Sequence, residues 1–205
     1  DLWFEKCIKK QLHGEAYLVR FADDFLIMFQ YERDAQRVYE AIIRRMELFG
    51  LELSKEKTRI LPFGRNCGTR ETFDFLGFTH FNSKTRKGYY SVGHKISRKK
   101  KKQFKSNLKK WVKENRDKQF DEFMKKLNKK LTGSFNYYSL SGMIREVRSL
   151  WIHSLYVTFK WMNRRSQRRS FKLERFYEIW HERIIHPYIH VDIWSGDKVI
   201  YNKKV

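Results

Sequence analysis

The sequence predicts an α+β fold in which a small β-hairpin sheet with helices is followed by an α-helical bundle. Two apolar, strand-like runs flank a short turn within residues 17–29, a pattern typical of a β-hairpin. Beyond residue 95, apolar residues recur at helical spacing beneath many lysines, which predicts amphipathic helices. We therefore predict a first part over 1–94, a helical part over 95–165 and a basic C-terminal extension over 166–205.

The first part is predicted to begin with a helix, a hairpin and a second helix. An apolar stripe predicts helix over 2–12, and the hairpin follows over 16–30. Segment 34–49 carries apolar residues at helical spacing, with Asp34 as the expected N-cap and Gly50 as the expected stop.

Further short strands are predicted after this second helix. The runs LELS (51–54) and TRILPF (58–63) read as strands, and FDFLGF (73–78) with TRKGYYSVG (85–93) reads as another hairpin. The order strand, strand, helix, strand, strand predicts one sheet with helices on one face.

The helical part is predicted to be a small bundle. Phe104, Leu108 and Val112 fall on one face of its first helix. Further helices are predicted over 119–131, 142–163 and 171–184. Gly133 and the aromatic cluster Phe135, Tyr137 and Tyr138 are expected to separate the helix over 119–131 from the helix over 142–163.

The charge of the chain points to a polyanionic partner. The net charge is +22, and residues 95–130 hold 16 basic against four acidic residues, a local net charge of +12. So large an excess favours nucleic acid as the partner, with an anionic membrane surface as the alternative. No apolar run reaches the length of a membrane-spanning helix, so no transmembrane segment is predicted.

Two basic clusters and one aromatic pair are the candidate nucleic-acid contacts. The lysines of the first cluster have too few acids nearby to pair with, which favours phosphate contact over a merely solvated helix face. Tyr137 and Tyr138 either stack on unpaired bases or anchor the fold. The first cluster comprises Lys99, Lys100, Lys101, Lys102, Lys105, Lys109, Lys110 and Lys113, and the second comprises Arg164, Arg165, Arg168 and Arg169.

Asp23 and Asp24 are the candidate metal ligands, because two adjacent carboxylates repel each other and turn chemistry does not require both. The alternative is a solvated turn. Hard carboxylate oxygens suit Mg²⁺, with Mn²⁺ as a substitute, and a nucleic-acid polymerase holds two such ions at the tip of a hairpin. One ion would activate a primer 3′-hydroxyl and the other would stabilise the leaving pyrophosphate. A third carboxylate from a neighbouring strand is needed, and no strand upstream in this chain supplies it.

Five blocks, in order, resemble group II intron reverse transcriptases. LVRFADDFLIMFQYERDA (18–35) resembles the catalytic block, with Phe21 in place of the usual Tyr, and GLELSKEKTRI (50–60) is similar to the next palm block. TFDFLGF (72–78) resembles the primer grip, and LNKKLTGSFNYY (127–138) resembles the maturase, or X/thumb, signature. WMNRRSQRR (161–169) followed by HPYIHV (186–191) resembles the C-terminal end of bacterial members.

This resemblance implies an RNA-directed DNA polymerase and maturase, with a palm over 1–94 and a thumb/X domain over 95–165. It implies that Asp23 and Asp24 bind the metal ions, and it offers Lys57 as a general acid toward pyrophosphate, the alternative being an ordinary surface lysine. Phe75, Leu76 and Gly77 would form the primer grip, with a buried core strand as the alternative. The implied partners are the RNA template, intron RNA, an RNA–DNA hybrid or DNA primer and dNTP, in the bacterial cytoplasm, associated with the nucleoid or a ribonucleoprotein.

The chain departs from the family at its start. It begins about 20 residues before Phe21, whereas family members carry the fingers and the first palm blocks, with the first catalytic Asp, upstream. We therefore expect a partner half, in the same protein or as a separate chain, and no polymerisation by this chain alone. The alternative function is an RNA-binding maturase or chaperone module without polymerase activity of its own.

Overall fold

The computed structural model describes residues 1–54, 56–165 and 170–189 and divides into two compact units. The first unit comprises Asp1–Leu76 with His80–Val92, and the second comprises Gly77–Thr79 with the chain from Gly93 onward. The predicted α+β class is confirmed, since the described residues form helices and two small antiparallel sheets. The predicted domain boundaries at residues 94 and 165 stay a prediction. None of the helices in the described ranges has the length and apolarity that crossing a membrane requires.

The first unit opens with short helical turns and the predicted hairpin. Phe4–Ile8 forms a π-helical turn and Lys9–Gln11 a 3₁₀ turn. Strands β1 (Ala16–Phe21) and β2 (Asp24–Phe29) pair antiparallel, and helix α1 (Glu32–Leu48) follows. One face of the hairpin packs against α1, and the resulting core is small. Its buried members are Phe4, Ala16, Val38 and Ile42.

The start of α1 corrects one prediction. Asp34 is not the N-cap, because the helix is already entered at Glu32 and its N-cap residue is Tyr31. The Asp34 carboxylate is buried and accepts hydrogen bonds from the backbone N–H groups of His13 and Gly14, at 2.9 and 3.1 Å. It therefore fastens the loop before β1 to the helix instead of capping its own helix.

Other boundaries in the first unit are part confirmed and part wrong. Gly50 ends the helix region as predicted, with φ +65 and a hydrogen bond from its N–H to the Glu47 carbonyl. Among the described residues of 51–54 and 58–63 there is no strand. The partly buried side chain of Leu53 packs on the core without a backbone ladder. Apolar residues in a short run can bury side chains without forming a strand, which is why the pattern misled.

A second sheet replaces the single sheet that was predicted. Strands β3 (Thr72–Phe75), β4 (Phe78–Lys84) and β5 (Tyr90–Ile96) pair in the order β3-β4-β5, separate from the hairpin sheet. The predicted hairpin region is therefore confirmed only in part. FDFLGF is not one strand, because a turn at Leu76 and Gly77 divides it between β3 and β4, and the segment 85–93 contributes to β5 only from Tyr90. In the part of the chain described, this sheet is not continuous with β1 and β2.

The second unit is the predicted helix bundle. Its helices are α2 (Arg98–Asn115), α3 (Phe120–Tyr138), α4 (Ile144–Met162) and α5 (Leu173–Arg183). They enclose a core rich in large side chains. The largest fully buried members include Leu108, Phe123, Leu127, Leu131, Leu150, Phe176 and Trp180.

Helix α3 is longer than predicted. Gly133 does not separate two helices, because α3 continues through it to Tyr138. Leu127, Leu131 and Phe135 recur every four residues and are all buried, so the apolar stripe extends past the glycine. Tertiary packing therefore outweighs the low helix propensity of glycine at this point.

Replacement of Asp34 by Asn is predicted to lower the thermal unfolding midpoint of the protein by several degrees at pH 7, because hydrogen bonds to the loop are weakened. Burial raises the pKa of Asp34, but the contact with His13 and the backbone hydrogen bonds from Gly14 and His13 outweigh it and hold the pKa below its ordinary value of 3.8. This contribution is present above pH 3.8 and is lost as the pH falls through the lower folded-state pKa.

Thermal denaturation at pH 7 and at pH 3 checks this prediction. The difference between wild type and variant should shrink at the lower pH. Glu32→Gln, which changes an exposed carboxylate in the same helical turn, is the matched control and should leave the midpoint nearly unchanged. An equal loss for both variants would show that Asp34 has no special structural role.

Candidate catalytic hairpin and nucleic-acid interface

The two candidate metal ligands lie at the tip of the β1–β2 hairpin. Phe21 pairs with Asp24, so Ala22 and Asp23 form a two-residue turn, and Asp24 begins β2. Both carboxylates are exposed. Two adjacent acids therefore project from a turn whose position is set by six paired residues on each strand.

The backbone of this tip is strained. Ala22 has φ +54, in the left-handed region that an L-residue with a Cβ enters at a cost of about 1–2 kcal/mol. Such strain persists only where the surroundings hold it, and it is frequent at functional sites. At Ala22 the hydrogen-bonded strands on either side supply that restraint.

Arg20 supports the same turn, and the sequence reasoning missed it. Its guanidinium donates to both carboxylate oxygens of Asp1, at 2.7 and 2.9 Å, and to the carbonyl of Ala22 at 3.3 Å. The available signal was a cation inside an otherwise apolar strand, three residues before the acid pair.

The hairpin has a buried and an exposed apolar face. Phe25, Ile27 and Phe29 pack toward the core, whereas the side chains of Tyr17 and Phe21 on the other face are 53% and 66% exposed. The acid pair thus sits at the end of an open apolar surface, a setting in which sugars and bases can lie beside the carboxylates.

Two of the predicted primer-grip residues, Leu76 and Gly77, form the turn between β3 and β4, and the third, Phe75, ends β3. Leu76 has φ +50 and Gly77 has φ +82, so both central residues of the turn are left-handed, as tight hairpin turns that match strand twist require. In the described ranges, Ala22 and Leu76 are the two non-glycine residues with positive φ, and both lie at predicted functional turns.

Gly77 is fixed in the second unit beside the start of α2. Its carbonyl accepts a hydrogen bond from the N–H of Ser97, whose own hydroxyl caps α2. A methyl group added at Gly77 would lie 3.4 Å from Cγ of Lys100 and 3.8 Å from the hydroxyl of Tyr138. Three residues that were predicted separately are therefore neighbours.

The lysines of α2 divide into outward and inward sets. The Nζ atom of Lys101 lies 3.0 Å from the carboxylate of Glu146 on α4. Burial lowers the pKa of His153, which is also on α4, and the positive charge of Lys105 lowers it further. These two face the bundle. The outward set is exposed and comprises Lys99, Lys100, Lys102, Lys109, Lys110 and Lys113.

Trp161 joins the two basic clusters. Lys113, Arg116 and Arg164 place their charged groups 5.8, 5.4 and 5.5 Å from the centre of its rings. Arg165 donates to the carbonyl of Lys118 at 3.1 Å. The lysine face of α2 and the cluster after α4 therefore form one basic surface. Arg168 and Arg169 lie outside the described residues.

Two asparagines have structural roles that the sequence reasoning did not foresee. Asn163 accepts from the N–H of Phe171 and donates to its carbonyl, at 2.8 and 3.1 Å, which closes the loop between α4 and α5. Asn128 accepts from the N–H of Ile185 at 2.9 Å and so ties α3 to the segment after α5. Both asparagines stand within blocks that carry the family resemblance.

The two tyrosines differ in their surroundings. Tyr138 is buried, burial raises its pKa, and its ring meets Phe78 edge-on at 5.5 Å. Anchoring of the fold is therefore the role its surroundings favour. Tyr137 is 53% exposed and stacks on Phe78 at 5.7 Å, which leaves part of its ring accessible to a base.

Lys57 follows α1, and the described residues supply no third metal ligand beside the acid pair. Lys57 is exposed in a turn, where its N–H donates to the Ser54 carbonyl. Among the described residues, no group of three or more His, Cys, Asp or Glu side chains could hold a metal ion. The hairpin thus offers two of the ligands that such a site requires.

Comparison with known families gives two matches, one to each part of the chain. The family model for reverse transcriptase (RNA-dependent DNA polymerase) matches residues 3–80. The family model for the group II intron, maturase-specific domain matches residues 101–178. No curated protein matches the chain.

The acid-tipped hairpin lies in the first match and the basic helical surface in the second, and together the matches cover most of the chain. The chain thus combines a reverse transcriptase part with a group II intron maturase-specific part, and the two matches support a group II intron reverse transcriptase with maturase function.

Replacement of Ala22 by Val is predicted to destabilise the protein by about 1 kcal/mol, because a β-branched residue is disfavoured at positive φ more strongly than alanine is. Chemical denaturation measures the change. Tyr17→Val on the exposed face of β1 is the control, since valine suits an ordinary strand position. An Ala22→Val protein as stable as the wild type would argue against a left-handed residue at this tip.

Proposed function

We propose that this chain provides the catalytic hairpin and the duplex-binding surface of a two-metal DNA polymerase that copies RNA. The observation that carries the proposal is the exposed Asp23–Asp24 pair, held on a two-residue turn by paired strands and by Arg20. A module that only bound RNA would have no use for adjacent acids on a strained turn inside so basic a chain.

The donor set at the tip fits Mg²⁺, since it consists of hard carboxylate oxygens that are open to solvent and substrate. When bound, the ions supply activation of the primer 3′-hydroxyl and neutralisation of the phosphates that leave. Asp23 and Asp24 would hold them together with a carboxylate from another segment of the complete protein. The turn keeps both oxygen donors at one place while nucleotides exchange.

The basic surface of the second unit is proposed to hold the nucleic acid. Its outward lysines, with Lys113 and Arg164 meeting at Trp161, suit the phosphates of an RNA–DNA hybrid or of folded intron RNA. The proposed setting is the bacterial cytoplasm, in a ribonucleoprotein or at the nucleoid.

The Phe75–Gly77 turn is proposed to contact the primer strand. Gly77 has no side chain, and the side chain of Lys100 lies beside it, so a phosphate that approached this turn would find a cation close to the backbone. Lys57 is proposed as the proton donor to pyrophosphate, because it is a solvent-exposed lysine in the block that follows the hairpin.

In the complete protein, Asp23→Ala or Asp24→Ala is predicted to abolish DNA synthesis and to leave RNA affinity nearly unchanged, because carboxylates hold metal ions and do not attract phosphates. Primer extension and filter binding measure the two properties. Glu15→Gln, at the open end of the same hairpin, is the control and should extend primers normally. Normal extension by either aspartate variant would refute the metal-site proposal and leave an RNA-binding maturase module as the function.

Affinity for an RNA–DNA hybrid is predicted to fall steeply with salt, since each neutralised phosphate releases roughly 0.7–0.9 counterion. Replacing the outward pair Lys102 and Lys109 by Gln should therefore flatten the log–log slope by about 1 to 2. The same replacement of the inward pair Lys101 and Lys105 removes equal charge from the same helix and should change the slope less. Equal effects of the two pairs would mean that only total charge matters and that the outward face is not the contact.

A further inference from the structure

Gly133 is an exposed glycine in the interior of α3, and no contact within the described chain requires it. A Cβ built on it meets nothing within 4 Å, and its backbone is helical. A glycine in an exposed helix interior is less favourable than alanine by about 1 kcal/mol. The fold therefore bears a penalty that a single methyl group would remove.

The surroundings of Gly133 suit a nucleic acid. Exposed residues one helical turn before it are Lys129 and Lys130, and those one turn after it are Asn136 and Tyr137. Two lysines, a polar amide and a half-exposed aromatic ring thus border a patch of helix backbone that carries no side chain.

The basic character of this face continues toward the start of the helix. Lys125 and Lys126 lie one further turn back, and the Glu122 carboxylate is engaged by Lys126. Asp121 is paired with Arg183 of α5. This face of α3 therefore keeps a net positive charge, which suits a polyanionic partner better than a protein partner.

We propose that Gly133 is the point of closest approach between α3 and an A-form duplex, the template–primer hybrid. The A-form minor groove is wide and shallow, and the missing Cβ of Gly133 lets the helix backbone come closer to its sugars and phosphates than any other residue would. A rigid duplex cannot bend around an added side chain, whereas a single strand can. This inference rests on the proposed function, because it assumes that the second unit holds the hybrid.

The test compares Gly133→Ala and Gly133→Leu with Ser149→Leu, which places the same leucine side chain at an exposed position of α4. In the complete protein, Gly133→Ala should raise the thermal unfolding midpoint and yet weaken binding to an RNA–DNA hybrid. Gly133→Leu should weaken hybrid binding about tenfold. It should also flatten the salt slope by about 1 to 2, as the flanking lysines lose their phosphates. Ser149→Leu should bind as the wild type does, and affinity for single-stranded RNA should change little in any variant.

Two results would overturn this inference while the proposed function stands. The first is wild-type hybrid affinity in both Gly133 variants, alongside a steep wild-type salt slope. The second is a loss confined to single-stranded RNA, which would make the patch a site for unpaired RNA. If the wild type itself shows no salt-dependent hybrid binding, the proposed function fails, and this inference fails with it. If Gly133→Leu unfolds, the Ala variant still decides the question, because its greater helix propensity separates stability from binding.

Discussion

The burial of one narrow apolar stripe on each helix is the interaction on which the second unit depends. A segment with a local net charge of +12 repels itself, and it folds only because residues such as Leu108, Leu131 and Trp180 leave water together. The same packing decides whether each lysine of α2 faces the bundle or the solvent. Lys101 is turned toward α4 and meets Glu146, whereas Lys102, one position along, is turned to solvent. Core packing thus divides the lysines of α2 into a set that faces the bundle and a set that faces solvent.

In the first unit, backbone conformation is the corresponding constraint. Two hairpins place a non-glycine residue at positive φ, and in each case the residue stands beside groups that we assign to chemistry or to primer contact. A left-handed turn lets two strands meet within two residues, which makes the tip short and its side chains well positioned. The strain at Ala22 is balanced by the strand ladder and by Arg20.

Much of the fold could be predicted because its patterns are local. The β1–β2 hairpin, the helix over 144–162 and the final helix follow from alternation or from a period near 3.6. The errors arose where distant contacts decide. Asp34 looks like a cap until the donors from His13 and Gly14 are known, and Gly133 looks like a break until the buried stripe beyond it is seen.

The candidate site shows the same limit. Asp23 and Asp24 could be identified from the sequence because they are adjacent acids in a predicted turn. The hydrogen bond from Arg20 to that turn could not be identified in this way. Neither could the contact of three cations with Trp161, because these residues lie on different helices or far apart in the chain. Sequence pattern also could not separate Tyr137 from Tyr138, because adjacent residues on a helix differ in exposure by their rotation about its axis.

The clasp formed by Asn163 and Phe171 has a consequence for how α4 and α5 are held together. One side chain satisfies both backbone groups of Phe171, so the exit from α4 and the approach to α5 are joined by a single residue. A substitution at Asn163 would therefore break both hydrogen bonds at once. The spacing of these two helix ends thus depends on one amide side chain that lies outside both helices.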